Sequence, residues 1–170
     1  INFGGTPNDP QDADTGVNRL QNFPTIISAT IIGSDLQIQY SIDSAPANAN
    51  YDDGLGQAGL IAEFFKADSA NQEGEVFLGR DRYTSADYST GTLPGVKTVT
   101  LAGAGSLMSA ASRVVATATD EDGNTSEFSV NVPVAASTPA NCEPVPWTTS
   151  FRLTHSSNRL PGEICQHSQA

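Results

Sequence analysis

The chain of 170 residues is long enough to form one ordinary domain with a buried core that does not depend on disulfides or structural metals. Its 19 acidic residues outnumber its 8 Lys and Arg residues and give a formal net charge of −11, with a pI near 4.3. Such a surface repels nucleic acid and anionic lipid, whereas it suits divalent cations. We therefore expect neither nucleic acid nor an anionic membrane surface as a partner.

The composition of the chain is compatible with an extracellular setting. No apolar run approaches the roughly 20 residues that span a bilayer, and INFGGTPNDP at the start lacks the basic and apolar regions of a signal peptide. Thr, Ser, Asn, Gly and Ala fill much of the chain, a balance that is common in secreted bacterial β-proteins. The chain is then either a mature or excised segment of a secreted or cell-surface protein, which we expect, or a soluble cytoplasmic protein. Membrane insertion is not expected.

Residues 1–23 are predicted to form a loop-rich N-terminal arm, because they show almost no apolar periodicity. Carboxylate and amide side chains lie close together around Gly16 in a D-x-D-x-G-x-N pattern that resembles calcium loops. No bidentate Glu follows at the EF-hand distance, so an EF-hand is not predicted. The alternative is a solvated, turn-rich lead-in. The candidate calcium ligands are Asp9, Asp12, Asp14 and Asn18.

From Pro24 onward the pattern favours strands, since β-branched and aromatic residues alternate with polar ones between turn signals. The clearest alternation of apolar and polar residues runs over Leu36–Asp43, and its polar face is predicted to be exposed to solvent. Gly79 is predicted to mark a bulge or a close approach of the backbone. Residues 44–59 form a long polar loop. The predicted strands are Thr25–Ile32 with a bulge near Ser28-Ala29, Leu36–Asp43, Leu60–Ala67, Glu75–Tyr83 and Val96–Leu101.

The stretch Val114–Val132 is predicted to form a β-hairpin with one dry face. Its connection, DEDGN, contains residues that tolerate positive φ and carries more acid than a turn requires. Calcium at the tip would cancel the repulsion among these carboxylates. The alternative is an Asp-Gly turn whose other acids are solvated. The dry residues are Val114, Ala116 and Ala118 before the turn and Phe128, Val130 and Val132 after it, and the tip ligands are Asp120, Asp122 and Asn124.

About seven strands and no convincing amphipathic helix predict an all-β fold, an immunoglobulin-like β-sandwich of antiparallel strands over residues 24–134. Residues 135–170 read as a Pro-rich linker and a tail. We expect Cys142 and Cys165 to close this tail with a disulfide in an oxidising compartment. Zinc is the alternative for the set Cys142, His155, Cys165 and His167, although the spacing fits no compact zinc motif.

Four motifs, taken in order, resemble a module of large extracellular bacterial proteins that follows a right-handed parallel β-helix. They are NDPQDADTGVNRLQNFP at Asn8–Pro24, EFF at Glu63–Phe65, GEVFLG at Gly74–Gly79 and ATATDEDGNTSEFS at Ala116–Ser129. The resemblance covers residues 1–134 and implies that the first stretch marks the exit from the β-helix. It also implies a bacterial immunoglobulin-like domain with calcium beside the hairpin, a non-catalytic role and neighbouring domains in a larger chain.

These features predict a calcium-stabilised structural or adhesive module that is not an enzyme. No G-x-S-x-G, H-E-x-x-H or phosphate-loop motif is present. The alternative is a carbohydrate-binding module of a polysaccharide-active enzyme or adhesin, in which exposed aromatic rings stack on a polysaccharide or cell-surface glycan. The candidate rings are Trp147, Tyr51, Tyr83 and Tyr88. Lys66 and Lys97 are interpreted as strand-edge or solvated lysines.

Overall fold

The computed structural model describes residues 7–52, 54 and 58–136. These residues belong to the first of two units, Ile1–Ser137 and Thr138–Ala170. The predicted disulfide Cys142–Cys165, the alternative zinc set and Trp147 lie outside the described residues. Among the described residues, no helix has the length and apolar character needed to cross a bilayer.

Seven strands make up the body of the unit, and together they confirm an all-β fold. One α-helical turn, α1, interrupts them at Ser85–Tyr88, and 3-10 turns occur at Pro10–Asp12, Val17–Leu20 and Ala104–Leu107. The strands are β1 (Thr25–Ile32), β2 (Asp35–Ser41), β3 (Leu60–Ala67), β4 (Gly74–Tyr83), β5 (Lys97–Leu101), β6 (Arg113–Thr119) and β7 (Val132–Ala136).

The strands follow the order β4-β3-β6-β7-β1-β2-β5. Most neighbouring pairs are antiparallel, but β1 and β7 run parallel, with Ala29 opposite Val134. The prediction of antiparallel strands throughout is therefore wrong for this pair. β7 also pairs with β6, so it joins the group β5-β2-β1 to the group β4-β3-β6.

The core lies between these two groups of strands. The alternation predicted for β2 is confirmed, because Leu36, Ile38 and Tyr40 are fully buried. The ring of Tyr40 on β2 meets that of Phe64 on β3 edge-on, with centroids 5.1 Å apart. Close contact between large apolar side chains of the two groups is the main favourable term in the stability of such a layered fold.

At the margin where β4 approaches β5, a charged cluster replaces apolar packing. The Nζ atom of Lys97 lies 3.3 Å from Asp81 Oδ2 and 3.1 Å from Asp87 Oδ2. Tyr40 also donates its hydroxyl to Asp81 at 2.8 Å. Lys97 is therefore half-buried rather than solvated. It links β5 to β4, two strands that share no backbone hydrogen bonds.

The predicted bulges are confirmed. On β4, Gly79 pairs with Phe64 and Phe77 pairs with Phe65, which leaves Leu78 as the extra residue. Gly79 has φ +153°, and a Cβ there would meet the side chain of Leu101 at 2.9 Å. Only glycine combines that backbone conformation with such close packing. On β1, the register shifts between Ile26 and Ser28.

The predicted hairpin is confirmed before its turn and only in part after it, where Val132 packs against the core and pairs with Val114. The residues of β6 that were expected to be dry are fully buried, but Val130 is 74% exposed and the second strand begins only at Val132. Between them the backbone departs from a regular ladder. The hydroxyls of Ser126 and Ser129 accept the backbone N–H groups of Ala118 and Ala116 at 2.9 and 3.0 Å. Hydroxyl oxygens thus replace strand carbonyls, and the inside-outside alternation is lost.

Candidate metal centre

The N-terminal arm doubles back on itself through side-chain amides. Asn8 donates its Nδ2 group to the carbonyl of Phe23 and accepts the N–H of Phe23 at its Oδ1 atom. At the adjacent pair of positions, Asn22 makes the same reciprocal pair of bonds with the backbone of Asp9. The two amides imitate a short antiparallel ladder, so the arm is ordered without being a strand.

The same arm is fastened to the segment that follows β2. Asn22, which is 2% exposed, donates a second bond to the carbonyl of Asp43 at 2.6 Å. The carbonyl of Gln11 accepts the backbone N–H of Ala45 at 3.1 Å and the side-chain amide of Asn48 at 2.9 Å. These bonds hold the arm against residues 43–48.

The fastened arm contains an unusual concentration of left-handed backbone. Gln11 and Asp12 have φ values of 66° and 60°, and the run Asn18, Arg19 and Leu20 has values of 52°, 53° and 56°. Each such residue other than glycine costs roughly 1–2 kcal/mol. Asp12 is itself one of these residues, and Asp14 lies between the two left-handed runs.

Three carboxylates of the arm form a cluster. One oxygen from each of Asp9, Asp12 and Asp14 lies within 4.8 Å of the others. Backbone groups fix two of these side chains: Asp9 Oδ2 accepts the N–H groups of Ala13 and Asp14 at 3.0 and 3.2 Å, and Asp12 Oδ1 accepts that of Asn22 at 2.9 Å. The carboxylates are therefore positioned by the fold before any ligand arrives.

The cluster also has oxygens that nothing in the protein satisfies. Asp9 Oδ1 and Asp14 Oδ1 are closed off from solvent and have no hydrogen-bond partner. A buried acceptor without a partner costs about 1–3 kcal/mol, and more when it is charged. Two such atoms in one cluster of three acids form an arrangement that a cation would complete.

The electrostatics of the cluster also favour a bound cation. Asp12 is 4% exposed. Its pKa is raised to about 6, chiefly by burial and also by the charges of Asp9 and Asp14, while hydrogen bonds from Ser44 and Asn22 oppose the rise. A nearby cation would reverse this effect, since an opposite charge within about 4–6 Å favours the ionised form. Hard cations such as Ca²⁺ prefer ligand sets of carboxylate and carbonyl oxygens.

Asn18, the fourth predicted ligand of the arm, is exposed. Its backbone carbonyl accepts the N–H of Gln21 at 3.0 Å and closes the turn that leads back towards β1. A role of the Asn18 side chain in metal binding stays a prediction.

At the hairpin tip, the local hydrogen bonds are those of a turn. Asp120 is buried, and its Oδ1 accepts the N–H groups of Asp122 and Asn124 at 3.0 and 2.8 Å, while its Oδ2 accepts the side-chain amide of Asn124. Asp122 in turn accepts the side-chain amide of Asn50 at 2.8 Å. Within the described ranges, the tip acids do not form a group of three like that of the arm, and calcium at the tip stays a prediction.

The arm reaches the tip through longer contacts. Arg19 lies 3.8 Å from a carboxylate oxygen of Asp122, and its guanidinium donates to the carbonyl of Asn48 at 3.3 Å. Both side chains of the ion pair are about half exposed, so the pair itself contributes little. Its geometry shows that the arm, the loop after β2 and the tip meet on one side of the unit.

The predicted sugar platform is wrong for the three tyrosines. Tyr51, Tyr83 and Tyr88 are 7%, 0% and 6% exposed. Tyr51 donates its hydroxyl to the carbonyl of Ser44, and Tyr83 donates to that of Gly95. All three rings therefore lie in the core and have no free face for stacking.

Sequence reasoning missed the amides that assemble the centre. Asn8 and Asn22 hold the arm closed, and the N–H of Asn22 donates to the carboxyl of Asp12. A signal was available in LQNFP, since the amide side chains of Gln21 and Asn22 lie shortly before β1, where burial begins. Their partners are distant in sequence, so the motif alone did not reveal them.

No protein-family model matches the chain, and no curated protein is significantly similar to it. Among solved structures, the crystal structure of the adhesin domain of Epf from Streptococcus pyogenes is similar, with a TM-score of 0.45 and 12% sequence identity. The similarity covers 71% of this chain and 34% of that one, so the chain spans about a third of the length of that adhesin domain.

Proposed function

We propose that this chain is a non-catalytic, calcium-stabilised structural or adhesive module of a secreted or cell-surface bacterial protein. In this proposal, Asp9, Asp12 and Asp14 bind one Ca²⁺, and the ion holds the N-terminal arm to the strands. Neighbouring domains of a larger chain are its partners. The module then acts as a rigid connector whose stiffness depends on the extracellular ion.

One observation carries the proposal: the oxygens of the arm are arranged, enclosed and unsatisfied. Asp9 Oδ1 and Asp14 Oδ1 have neither solvent nor a donor, beside an Asp12 that is 4% exposed. In a solvated acidic loop, by contrast, water satisfies the carboxylate oxygens. A divalent cation would supply both the missing contacts and the missing positive charge.

The fold supports a scaffold role. β7 pairs in parallel with β1 and in antiparallel fashion with β6, so it lies between a group formed by β1, β2 and β5 and a group formed by β3, β4 and β6. We infer that this is an immunoglobulin-like sandwich, in which the first strand lies beside the last and two sheets enclose the core. Scaffolds of this kind host many functions, so the role has to be argued from the arm.

The buried position of Asp12 also favours a structural role over a catalytic one. Burial raises its pKa to about 6, which is the sort of shift found in general acids. With 4% exposure, however, its carboxyl offers substrate no approach. The same environment suits an ion held permanently inside the fold.

Thermal unfolding in chelator and in calcium tests the proposal. An ion that binds only the folded state stabilises it by about 2.7 kcal/mol when its free concentration is a hundredfold above its Kd. We expect chelator to lower the melting temperature of the chain by several degrees and added Ca²⁺ to restore it. Equal melting temperatures in chelator and in millimolar Ca²⁺ would refute the proposal.

A further inference from the structure

A third buried oxygen without a partner lies in the same part of the arm. Beside Asp9 Oδ1 and Asp14 Oδ1, the Oε1 atom of Gln21 is closed off from solvent and lacks a hydrogen-bond partner. Gln21 is 4% exposed as a residue. Within the described residues, all the buried side-chain oxygens left without a partner therefore belong to the arm.

The orientation of the Gln21 amide is determined by its neighbours. Its Nε2 group donates to Ser44 Oγ at 2.6 Å and to the carbonyl of Asn22 at 3.3 Å. A hydroxyl can accept or donate, but a carbonyl can only accept. The bond to Asn22 therefore requires the nitrogen on that side and turns Oε1 away from it.

Two connections place this amide next to the acid cluster. Ser44, whose hydroxyl accepts from Gln21, precedes Ala45, and the N–H of Ala45 donates to the carbonyl of Gln11, the residue before Asp12. The backbone N–H of Asn22, the next residue after Gln21, donates to Asp12 Oδ1 at 2.9 Å. Two hydrogen-bonded links thus connect the neighbourhoods of Gln21 and Asp12.

From this geometry we infer that Gln21 Oε1 is a fourth protein ligand of the cation bound by Asp9, Asp12 and Asp14, and that the centre selects Ca²⁺ over Mg²⁺. The inference rests on the proposed function. A neutral amide oxygen adds a ligand without adding repulsion to a cluster that already carries three carboxylates. It also gives the buried Oε1 atom the partner that it lacks.

The selectivity follows from the enclosure of these oxygens. Mg²⁺ gives up its water reluctantly and requires nearly ideal octahedral geometry at about 2.0–2.1 Å. Ca²⁺ accepts six to eight oxygens at about 2.3–2.6 Å in irregular arrangements and exchanges its water readily. Ligand oxygens that are closed off from solvent require an ion that loses water, which favours the larger cation.

Calorimetric titration of the whole chain with Ca²⁺ and with Mg²⁺ tests this inference on three variants. Gln21→Met removes the oxygen and keeps the length of the side chain, Gln21→Glu restores an oxygen and adds charge, and Gln39→Met alters an exposed glutamine of β2 as a matched control. We expect wild type and Gln39→Met to bind Ca²⁺ more tightly than Mg²⁺. Gln21→Met should weaken Ca²⁺ binding by about tenfold or more, and Gln21→Glu should retain it.

A second measurement separates a ligand from a residue that merely supports the fold. Terbium replaces calcium in oxygen sites, and its luminescence lifetime in H₂O and in D₂O counts the waters bound to it. If Gln21 is a ligand, Gln21→Met should gain about one bound water, because a water takes the coordination position that the amide oxygen leaves. Melting temperatures in chelator show whether the variants are folded.

The outcomes are distinct. A wild type that binds no Ca²⁺ overturns the proposed function and this inference with it. If Gln21→Met binds Ca²⁺ as tightly as wild type does, or if its count of bound waters is unchanged, the assignment of Gln21 alone is overturned. Equal affinity for Ca²⁺ and Mg²⁺ overturns the selectivity.

Discussion

Asp12 is the residue on which the proposed cation would act most directly. It is buried, has φ +60° and lies beside Asp9 and Asp14, so its backbone and its charge are both costly. Only hydrogen bonds from Ser44 and Asn22 oppose the rise in its pKa. We therefore expect Asp12 to destabilise the metal-free chain and to stabilise the chain once the proposed ion is bound.

Asp12→Asn should therefore have opposite effects in the two conditions. In chelator, the melting temperature should match or exceed that of wild type, because the change removes a buried charge and because Asn tolerates positive φ. In calcium, the variant should lose the ion-dependent gain of about 2.7 kcal/mol. Calorimetric melts with and without chelator measure both effects.

Glu73→Gln is the control for this prediction, because it removes an exposed carboxylate outside the arm. It should leave the calcium-dependent shift unchanged. An Asp12→Asn chain that still gains stability from calcium as wild type does would contradict the role of Asp12.

Asp87 illustrates the opposite electrostatic case. Burial raises its pKa, but hydrogen bonds from Thr84 and Lys97, together with the charge of Lys97, outweigh burial and bring it below 3.8. Thr84 donates its N–H and its hydroxyl to Asp87 Oδ2 at 2.8 and 2.7 Å. Asp87 therefore favours the folded state in its ionised form.

Because the folded pKa of Asp87 is lowered, its contribution is fully present above the unfolded value of 3.8 and is lost as pH falls through the folded value. We expect the melting temperature of Asp87→Asn to fall less steeply than that of wild type below about pH 4. Melts in chelator between pH 6 and pH 2 measure the difference. Parallel curves would show that Asp87 does not contribute to acid unfolding.

At the scale of elements, the segment after the tip shows how side chains can replace a strand. Ser129 is buried, and its hydroxyl accepts the N–H of Ala116, while its own N–H donates to the Ala116 carbonyl at 2.8 Å. The ladder beside β6 is therefore maintained through an irregular stretch. This explains why both sides of β6 are buried although its neighbour is not a regular strand.

Ser129→Ala should destabilise the chain by about 1–3 kcal/mol, because the buried N–H of Ala116 loses its acceptor. Ser106→Ala, at an exposed serine, is the control and should have little effect. Urea unfolding measures both changes. Equal midpoints for the two variants would mean that another acceptor replaces the hydroxyl.

The bulge of β4 provides a second test at this scale. Gly79→Ala introduces a Cβ at φ +153° that would lie 2.9 Å from Leu101, whereas Gly33→Ala introduces one at φ +62° with open space around it. Both variants incur the backbone cost of about 1–2 kcal/mol, but only the first adds a clash in the core. Urea unfolding should show Gly79→Ala to be the less stable of the two, and the reverse order would contradict the close approach of β4 to Leu101.

At the scale of the whole molecule, the body could be predicted from the sequence, and the centre could be predicted only in part. The alternation in β2 and the glycine of β4 are local patterns with one physical solution each. The spacing of Asp9, Asp12 and Asp14 around a turn likewise predicted their proximity. These features depend on neighbours in sequence.

What could not be predicted depends on distant partners. The amide of Asn22 is fixed by Asp43, and Tyr51 is buried because its hydroxyl reaches Ser44. Val130 looked apolar and inward-facing, but the serine hydroxyls beside it break the alternation on which that prediction relied. Parallel pairing of β1 with β7 is likewise a property of the topology rather than of either strand.

A crystal structure of the chain grown in calcium tests the central claim most directly. We expect density for one ion at about 2.3–2.6 Å from oxygens of Asp9, Asp12 and Asp14, with the arm against the segment after β2. A crystal in millimolar calcium with only ordered water among these three carboxylates, or with their oxygens pointing apart, would contradict it.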